Sequence, residues 1–166
     1  SMGLSPLEGL VMGTRSGDID PAVVGYVAEA SGRSEAEVLT ELNRSSGLLG
    51  LCGDSDVREI TERIDAGDEV ADLALDVFCH RIRKYVGAYV AVLGGCDALV
   101  FTAGIGEHSA LVRARVCAGL GVFGIAIGGV WKEIEGSLHD LPTERTEAEV
   151  AVEGDELAAR RARKAN

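Results

Sequence analysis

The sequence predicts an α/β fold that is rich in helices, and three observations support this prediction. Between positions 20 and 93, apolar residues recur every three or four positions, which is the period of a helix face. Residues 98–102 are continuously apolar, as is typical of a strand buried on both faces of a parallel sheet. Glycine accounts for 22 of the 166 residues, nearly double the roughly 7% of average usage, so we expect tight turns and closely packed backbones.

Composition limits the classes of function. The 16 Lys+Arg and 27 Asp+Glu give a formal net charge of −11, which excludes a nucleic-acid partner bound through bulk positive charge. With 46% hydrophobic residues the chain can form one domain, or most of one. The longest apolar stretch, 86–93, is far shorter than the about 20 residues that span a bilayer, and the N-terminus lacks a signal pattern. We therefore expect no membrane partner.

The four cysteines favour a cytoplasmic location. Cys52, Cys79, Cys96 and Cys117 include no C-x-x-C pair and no histidine at zinc-finger spacing. Each lies among apolar residues, so we expect buried thiols rather than reactive ones. A reducing compartment fits this pattern best.

Capping signals predict the first helices. Asp20 followed by Pro21 is typical of a helix start, and Gly32 predicts its end. Ser34 and Glu37 have the spacing of a capping box, which opens a second helix closed by a Ser-Ser-Gly stop.

The next segments combine a loop with the longest helix of the chain. The glycine-spaced residues 47–53 are predicted as a loop, after which Asp54 or Ser55 caps a helix that Gly67 ends. Helix capping and solvent exposure explain the acids here, and spacing alone favours that interpretation over a ligand site. The apolar repeat in residues 68–93 then predicts the longest helix.

A β-α-β unit is predicted after residue 95. The strand 98–102 leads through a glycine-rich turn to a helix capped by Ser109, and a second strand is predicted over 122–127. The last predicted elements are a loop, a third strand and a closing helix, at 128–145, 149–152 and 155–164.

The glycine-rich turn is a candidate anion site. It consists of Gly104, Ile105, Gly106, Glu107 and His108. Glycines between a strand and a helix let backbone N–H groups approach an anion, and the helix dipole adds to the attraction. The turn lacks the third glycine of the dinucleotide fingerprint and the lysine of a P-loop. A nucleotide or phosphate site and a plain tight turn therefore both remain open.

Arg15 is a second candidate, because it lies between Gly13 and Gly17 in an opening segment without helix or strand period. A guanidinium on glycine-rich backbone can bind phosphoryl oxygens through two parallel hydrogen bonds. The alternative is a surface arginine paired with Asp18 or Asp20.

Three segments closely resemble motifs of the acetate kinases and their propionate and butyrate kinase relatives. They are residues 1–21, which contain Gly-Thr-Arg-Ser-Gly-Asp at 13–18, residues 46–51 followed by 55–60, and residues 98–107. The motifs stand in the family's order and spacing, and the similarity runs from residue 1 to about residue 127. The chain thus resembles the acetokinase family over most of its length.

The resemblance implies a domain organisation. The family's enzymes have two actin-like ATPase domains of the ribonuclease-H type, and residues 1–166 resemble the C-terminal part of the second, nucleotide-binding domain. A helical insertion is expected at about 20–66, and the first domain, with the acetate pocket, is absent. The second domain supplies the family's homodimer interface, and the helix 68–93 is a candidate for part of it.

The resemblance also implies an activity. The family transfers a phosphoryl group between ATP and acetate, giving acetyl phosphate, with Mg²⁺ in a cleft between the domains. The isolated chain is expected to be incomplete and inactive. A propionate or butyrate kinase, and a non-catalytic nucleotide-binding or dimerisation module, are the alternatives.

Site residues follow from the matching positions. Arg15 matches the arginine that the family places on the transferring phosphoryl group, and Asp56, Val57 and Arg58 match a segment beside the adenosine. Residues 104–108 match the turn that holds the adenine-ribose end and nearby phosphates, although the family usually has asparagine at the position of His108. Asp155 matches a glutamate that assists Mg²⁺, with a carboxylate one methylene shorter.

Overall fold

The computed structural model describes residues 2–125 and, for the backbone alone, residues 149–152. Within these residues it contains α1 (Ala22–Ser31), α2 (Glu35–Arg44), α3 (Gly47–Cys52), α4 (Val57–Asp65), α5 (Glu69–Leu93), β1 (Ala98–Phe101), α6 (Ala103–His108), α7 (Ala110–Cys117), a short 3-10 helix (Leu120–Phe123) and β2 (Glu149–Val152). The chain divides inside α5 into two compact units, Ser1–Ile82 and Arg83–Asn166. None of the described helices is long and apolar enough to cross a membrane.

Local signals set the bounds of α1 and α2. Asp20 Oδ1 accepts the Ala22 N–H at 2.9 Å, and α1 ends at Gly32 with a φ of 68°. At the start of α2, Ser34 Oγ accepts the Glu37 N–H at 3.3 Å and Glu37 Oε2 accepts the Ser34 N–H at 2.8 Å. Both predicted helices and the capping box are confirmed.

The predicted loop 47–53 is wrong, because α3 occupies most of it. Gly47 and Gly53 have φ values of 62° and 80° and lie at the start and the C-terminal cap of this helix. A helix of only six residues is too short to show a 3.6-residue apolar period. The glycines at its two ends were therefore interpreted as loop residues.

Side-chain caps connect α3, α4 and α5. Asp56, rather than Asp54 or Ser55, caps α4, since its Oδ1 accepts the Arg58 N–H at 2.9 Å. Asp68 Oδ1 accepts two N–H groups in the first turn of α5. Arg63 donates to Cys52 O at 2.8 Å and to Asp68 Oδ2 at 2.7 and 2.9 Å. One guanidinium thus joins the end of α3 to the start of α5, and the predicted long helix is confirmed.

The core of the first unit draws on all of its elements except short surface turns. Its buried apolar residues are Val11, Ala28, Val38, Leu48, Val57, Ile60, Ala71, Ala74, Leu75, Phe78 and Cys79. Because Val11 and Leu48 are among them, the opening segment and α3 are anchored in this core.

In the second unit, β1 and β2 pair in parallel, with Ala98 opposite Glu149 and Phe101 opposite Val152. The first and third predicted strands are therefore confirmed. Burial of β1 on both faces is not, since Val100 is 37% exposed and Phe101 is its buried residue. The strand pairs with one neighbour, β2, among the described residues.

Two further predictions for the second unit are wrong. The predicted turn 104–108 is helical, as α6. In the described part of the predicted strand 122–127, Val122 and Phe123 lie in a 3-10 helix, bounded by Gly119 and Gly124 with φ values of 87° and 75°, and only Ile125 forms a β-bridge. Left-handed glycines on both sides stop an extended strand from forming there. The predicted loop 128–145 and closing helix 155–164 lie outside the described residues.

α7 begins as predicted. Ser109 Oγ accepts the Val112 N–H at 3.2 Å. The buried apolar residues of this unit are Val90, Phe101, Val112, Val116, Cys117, Leu120 and Ile125. The strand, α7 and the 3-10 helix therefore all contribute side chains to the core of the second unit.

Candidate functional site

The loop that carries Arg15, residues 12–16, is fixed by backbone hydrogen bonds; we call it the Arg15 loop. The bonds run from Ser46 N to Thr14 O at 3.0 Å, Leu48 N to Met12 O at 3.0 Å, Leu49 N to Gly13 O at 2.8 Å, Ser16 N to Leu42 O at 3.0 Å, and Met12 N to Arg15 O at 3.0 Å. Four of the five come from or go to α2, α3 or the residues that join them. The loop has no regular structure, yet its backbone is held along its whole length.

The half-buried Arg15 side chain has no carboxylate within ion-pair distance among the described residues. Its Nη1 lies 3.8 Å from Met12 Sδ. Asp18 forms an ion pair with Arg81 at 3.4 Å, and Asp20 Oδ1 accepts the Ala22 N–H at the start of α1. Neither acid that could have made Arg15 a paired surface residue forms an ion pair with it.

An open depression of about 370 Å³ lies beside Arg15, and Leu39, Thr40, Asn43 and Arg44 complete its lining. Thr40 Oγ1 and Asn43 Nδ2 each donate to a carbonyl of α2 at 2.8 Å. The two guanidinium groups are thus the donors best able to bind an added anion. Arg44 was not predicted from the sequence. It could have been found as a basic residue in the last turn of a predicted helix that ends beside a glycine-rich segment.

The Arg15 loop contacts the segment that precedes α4. A methyl group placed on Gly13 would lie 3.1 Å from Ser55 O, so the two backbones are in close approach. Asp56 follows immediately and caps α4, while Val57 is buried. Two motifs that are distant in the sequence are therefore adjacent in the first unit.

Asp56 and Arg58 form an ion pair at the start of α4. Hydrogen bonds from the Arg58 side chain, and then from the Arg58 backbone N–H, lower the pKa of Asp56 from 3.8 to about 2. The Arg58 side chain is 87% exposed, and its Nε donates to both carboxylate oxygens, at 3.0 and 3.2 Å. The pair presents an oriented, planar cation to solvent, which is suited to stacking on an aromatic ring.

Residues 104–108 lie in α6, in the second unit. The helix starts at Ala103, whose φ of 60° is rare for a residue with a side chain. A methyl group on Gly104 would meet no atom of the described residues within 4 Å, whereas one on Gly106 would lie 3.2 Å from Phe101 C. Gly106 thus allows α6 to approach the end of β1, and Gly104 borders open space.

Arg113 and His108 bind the carbonyls of α6. Arg113 Nη1 donates to Gly106 O at 2.9 Å and to Glu107 O at 2.6 Å, and His108 Nδ1 lies 3.0 Å from Gly104 O. The last four carbonyls of a helix have no partner within it, so the two bonds from Arg113 stabilise the end of α6. Arg113 was not predicted from the sequence either. It could have been found as an arginine in the predicted helix that directly follows the glycine-rich turn.

The described residues do not by themselves form a complete metal-binding cluster. Within them there is no group of three or more His, Cys, Asp or Glu that could hold a metal ion. Asp155, the predicted metal residue, lies outside the described residues. We therefore derive no chemical step through Mg²⁺.

Comparison with known proteins identifies the family. The model of the acetokinase family matches residues 1–152. The acetate kinase of Streptomyces coelicolor is 57% identical over 136 residues, which are 82% of this chain and 33% of that protein.

Solved structures agree with this match. The crystal structure of acetate kinase from Entamoeba histolytica superposes with a TM-score of 0.78 at 32% identity, covering 94% of this chain and 41% of that one. A propionate kinase from Francisella tularensis gives a TM-score of 0.72 at 48% identity, covering 75% and 32%. The fold class is that of these actin-like ATPases, in a helix-rich α/β form. The chain spans about a third of the length of its curated relatives, and it belongs to the acetokinase family.

Proposed function

We propose that the protein containing this chain transfers a phosphoryl group between ATP and acetate. An acetate oxygen bonds to the γ-phosphorus, the bond from that phosphorus to the bridging oxygen breaks, and ADP leaves as acetyl phosphate forms. Family membership supports this reaction class. The observation that carries it is the Arg15 loop, which presents a guanidinium without a carboxylate partner among the described residues on a fixed backbone.

Arg15 is proposed as the catalytic cation. Negative charge is spread over the equatorial oxygens of the phosphoryl group during transfer, and a positioned guanidinium stabilises that charge. Because the backbone of the Arg15 loop is already hydrogen-bonded, little reorganisation is needed when the charge develops. The depression beside Arg15 gives an anionic group access to the guanidinium.

Nucleotide binding is proposed for two further segments. Asp56, Val57 and Arg58 lie beside the adenosine, with the exposed Arg58 guanidinium against the base. In the second unit, Gly104, Ile105, Gly106, Glu107 and His108 contact the adenine-ribose end and nearby phosphates, where Gly104 leaves room for a ligand. Asp155 is proposed to assist Mg²⁺ in the complete enzyme.

The remaining proposals concern the whole protein. Residues 1–166 are the C-terminal part of the nucleotide-binding domain, which is inactive alone, and the complete protein is a homodimer in the cytoplasm. Cys52, Cys79, Cys96 and Cys117 form no disulfide, with Cys79 and Cys117 buried and Cys52 and Cys96 half-buried, which supports a reducing compartment. A propionate or butyrate kinase is the second candidate, favoured by the 48% identity to the Francisella tularensis propionate kinase.

Activity is tested in a chimera, namely Streptomyces coelicolor acetate kinase in which the 136 residues of this chain that match that protein replace the corresponding segment. The chimera is expected to form acetyl phosphate. Arg15→Ala should lower kcat by about 100-fold or more and leave the KM for ATP nearly unchanged, because the contact forms mainly in the transition state. Arg15→Lys should restore only part of kcat, since ammonium lacks the guanidinium fork. Normal kcat in Arg15→Ala would refute the catalytic assignment.

The proposed contacts of Arg58 and Gly104 with the nucleotide are tested by measuring the KM for ATP in variants of the chimera. Arg58→Ala and Gly104→Val should each raise it several-fold. Gly121→Val is the control for Gly104→Val, because a methyl group at either glycine meets no protein atom within 4 Å. Equal KM values for the two glycine variants would contradict a ligand contact at Gly104.

A further inference from the structure

Gly47 makes the closest approach to the Arg15 loop. A methyl group placed on it would lie 2.1 Å from Met12 O, 2.7 Å from Arg15 O and 2.8 Å from Arg15 N. All three are backbone atoms, so they cannot turn aside as a flexible side chain would. The φ of Gly47 is 62°, which also disfavours a side chain. Both space and conformation therefore require glycine here.

This close approach allows backbone N–H groups of residues 46–49 to bind three consecutive carbonyls of the Arg15 loop. We call this set of hydrogen bonds the clamp. Ser46 N–H donates to Thr14 O, Leu48 N–H to Met12 O, and Leu49 N–H to Gly13 O. Gly47 lies in the middle of the donor segment. A side chain at this position would push the donors away from the carbonyls that they bind.

We propose that Gly47 is a positioning residue for phosphoryl transfer. Gly47 touches no substrate and acts through Arg15. Because Gly47 has no side chain, the clamp can form and fix the backbone of the loop that carries Arg15. This inference rests on the proposed catalytic role of Arg15. Real Cβ atoms essentially never lie within 3.0 Å of such neighbours, so a Cβ at position 47 requires a shift of about 1 Å, and a misplacement of that size in an active site can cost about 100-fold in rate.

The test uses Gly47→Ala and Gly47→Asn in the chimera. Asn tolerates a left-handed backbone better than Ala, so the pair separates conformational strain from the contact with the loop. Gly32→Ala and Gly32→Asn are the matched controls, because Gly32 has a φ of 68° and a methyl group there meets nothing within 4 Å. Both Gly47 variants should lower kcat by about 10- to 100-fold with the KM for ATP within about twofold, and both Gly32 variants should leave kcat nearly unchanged.

Two further readouts separate positioning from general stability. Hydrogen exchange at Ser46, Leu48 and Leu49 should accelerate in the Gly47 variants, while exchange in the buried turns of α5 stays as in the parent. In a double-mutant cycle, Gly47→Ala should cost far less kcat in an Arg15→Ala background than alone, because the two residues act as one unit.

Three results would overturn the positioning role. They are equal kcat losses at Gly47 and Gly32, a Gly47 effect that persists in full without Arg15, and loss of the fold in both Gly47 variants, which would make the residue structural only. If Arg15→Ala alone keeps a normal kcat, the proposed function of Arg15 fails and the role of Gly47 fails with it. If Arg15→Ala is inactive and the Gly47 variants are normal, only the inference about Gly47 fails.

Discussion

Asp56 performs two tasks with one carboxylate at the start of α4. It accepts the Arg58 N–H as a helix cap, and it holds the Arg58 guanidinium in an ion pair. Both interactions favour the ionised form, and the hydrogen bonds from the Arg58 side chain contribute most to its lowered pKa. The charge of Asp56 is therefore linked to folding.

The sign of that linkage gives a prediction for acid conditions. Because folding lowers the pKa of Asp56 from 3.8 to about 2, its contribution to the free energy of unfolding is complete above pH 3.8 and is lost as the pH falls towards 2. Asp56→Asn should therefore lose less stability than the parent across this interval. Denaturant unfolding at a series of pH values measures the difference.

Asp65→Asn is the control, since Asp65 is an exposed carboxylate at the other end of the same helix. It should keep the pH dependence of the parent. If Asp56→Asn also keeps that dependence in full, the Asp56–Arg58 pair does not contribute to folding.

At the scale of single residues, the sequence predicted that an acid or hydroxyl near position 55 caps a helix. It could not predict that Asp56 is the cap, because Asp54, Ser55 and Asp56 are all good N-caps and the tertiary position of α4 selects among them. The contact of Gly13 with Ser55 could not be predicted from the sequence either. Such a contact depends on how distant segments fold together, which local spacing does not encode.

At the scale of elements, α3 and α6 have the same construction. Each is a six-residue helix that contains glycines, and an arginine from the next helix binds its terminal carbonyls. Arg63 donates to Cys52 O, and Arg113 donates to Gly106 O and Glu107 O. Isolated helices of this length are unstable in water, so these partners help to hold them.

This construction gives a prediction for Arg113. Arg113→Met keeps the aliphatic stem and removes the donors to α6. We expect the KM for ATP of the chimera to rise by about 10-fold or more, because hydrogen bonds to charged groups contribute about 1.5–3 kcal/mol and each 1.4 kcal/mol is about a factor of ten, while kcat changes less since Arg15 is untouched. Steady-state kinetics measures both constants. Lys84→Met, at an exposed position on α5, should change neither, and equal effects of the two substitutions would contradict the role of Arg113.

The same construction explains which elements the sequence could predict. Caps such as the Ser34–Glu37 box are local, and the long repeat of α5 extends over many turns, so both were found. α3 and α6 depend on arginines outside the glycine motifs, and these motifs were therefore mistaken for a loop and a turn. The predicted strand 122–127 failed for a related reason, since apolar content alone does not separate a strand from a 3-10 turn.

At the scale of the whole molecule, the end of α5 presents apolar side chains to solvent. Tyr89, Val92 and Leu93 are 53%, 82% and 73% exposed, and their spacing places them on one face of the helix. This face supports the proposed homodimer, because burying it removes apolar surface from water.

Self-association should therefore weaken when a charge is introduced there. We expect Val92→Glu to shift the sedimentation profile of the chain towards the monomer. Val122→Glu is the control, since Val122 is 84% exposed but lies in the 3-10 helix. Association as strong in Val92→Glu as in the parent would exclude this face from the interface.

The family and the fold class followed from the sequence because three long motifs stand in order along it. The Arg15 loop looks irregular in sequence and is fixed in three dimensions by donors from residues 46–49. No local sequence pattern near Arg15 predicts those donors. The motif identified the residue, and the structure supplied the reason for its fixed backbone.

The clamp on the Arg15 loop also matters for protein engineering. It is built from main-chain atoms, so the side chains of Met12, Thr14 and Leu49 take no part in its hydrogen bonds. A library that varies these three positions and keeps Gly47 would retain the main-chain bonds of the clamp. It would change only the side-chain contacts of the loop, which are Thr14 Oγ1 with Asn43 O at 3.4 Å and Met12 Sδ with Arg15 Nη1 at 3.8 Å. The surroundings of Arg15 can then be varied while the main-chain bonds that hold its loop stay the same.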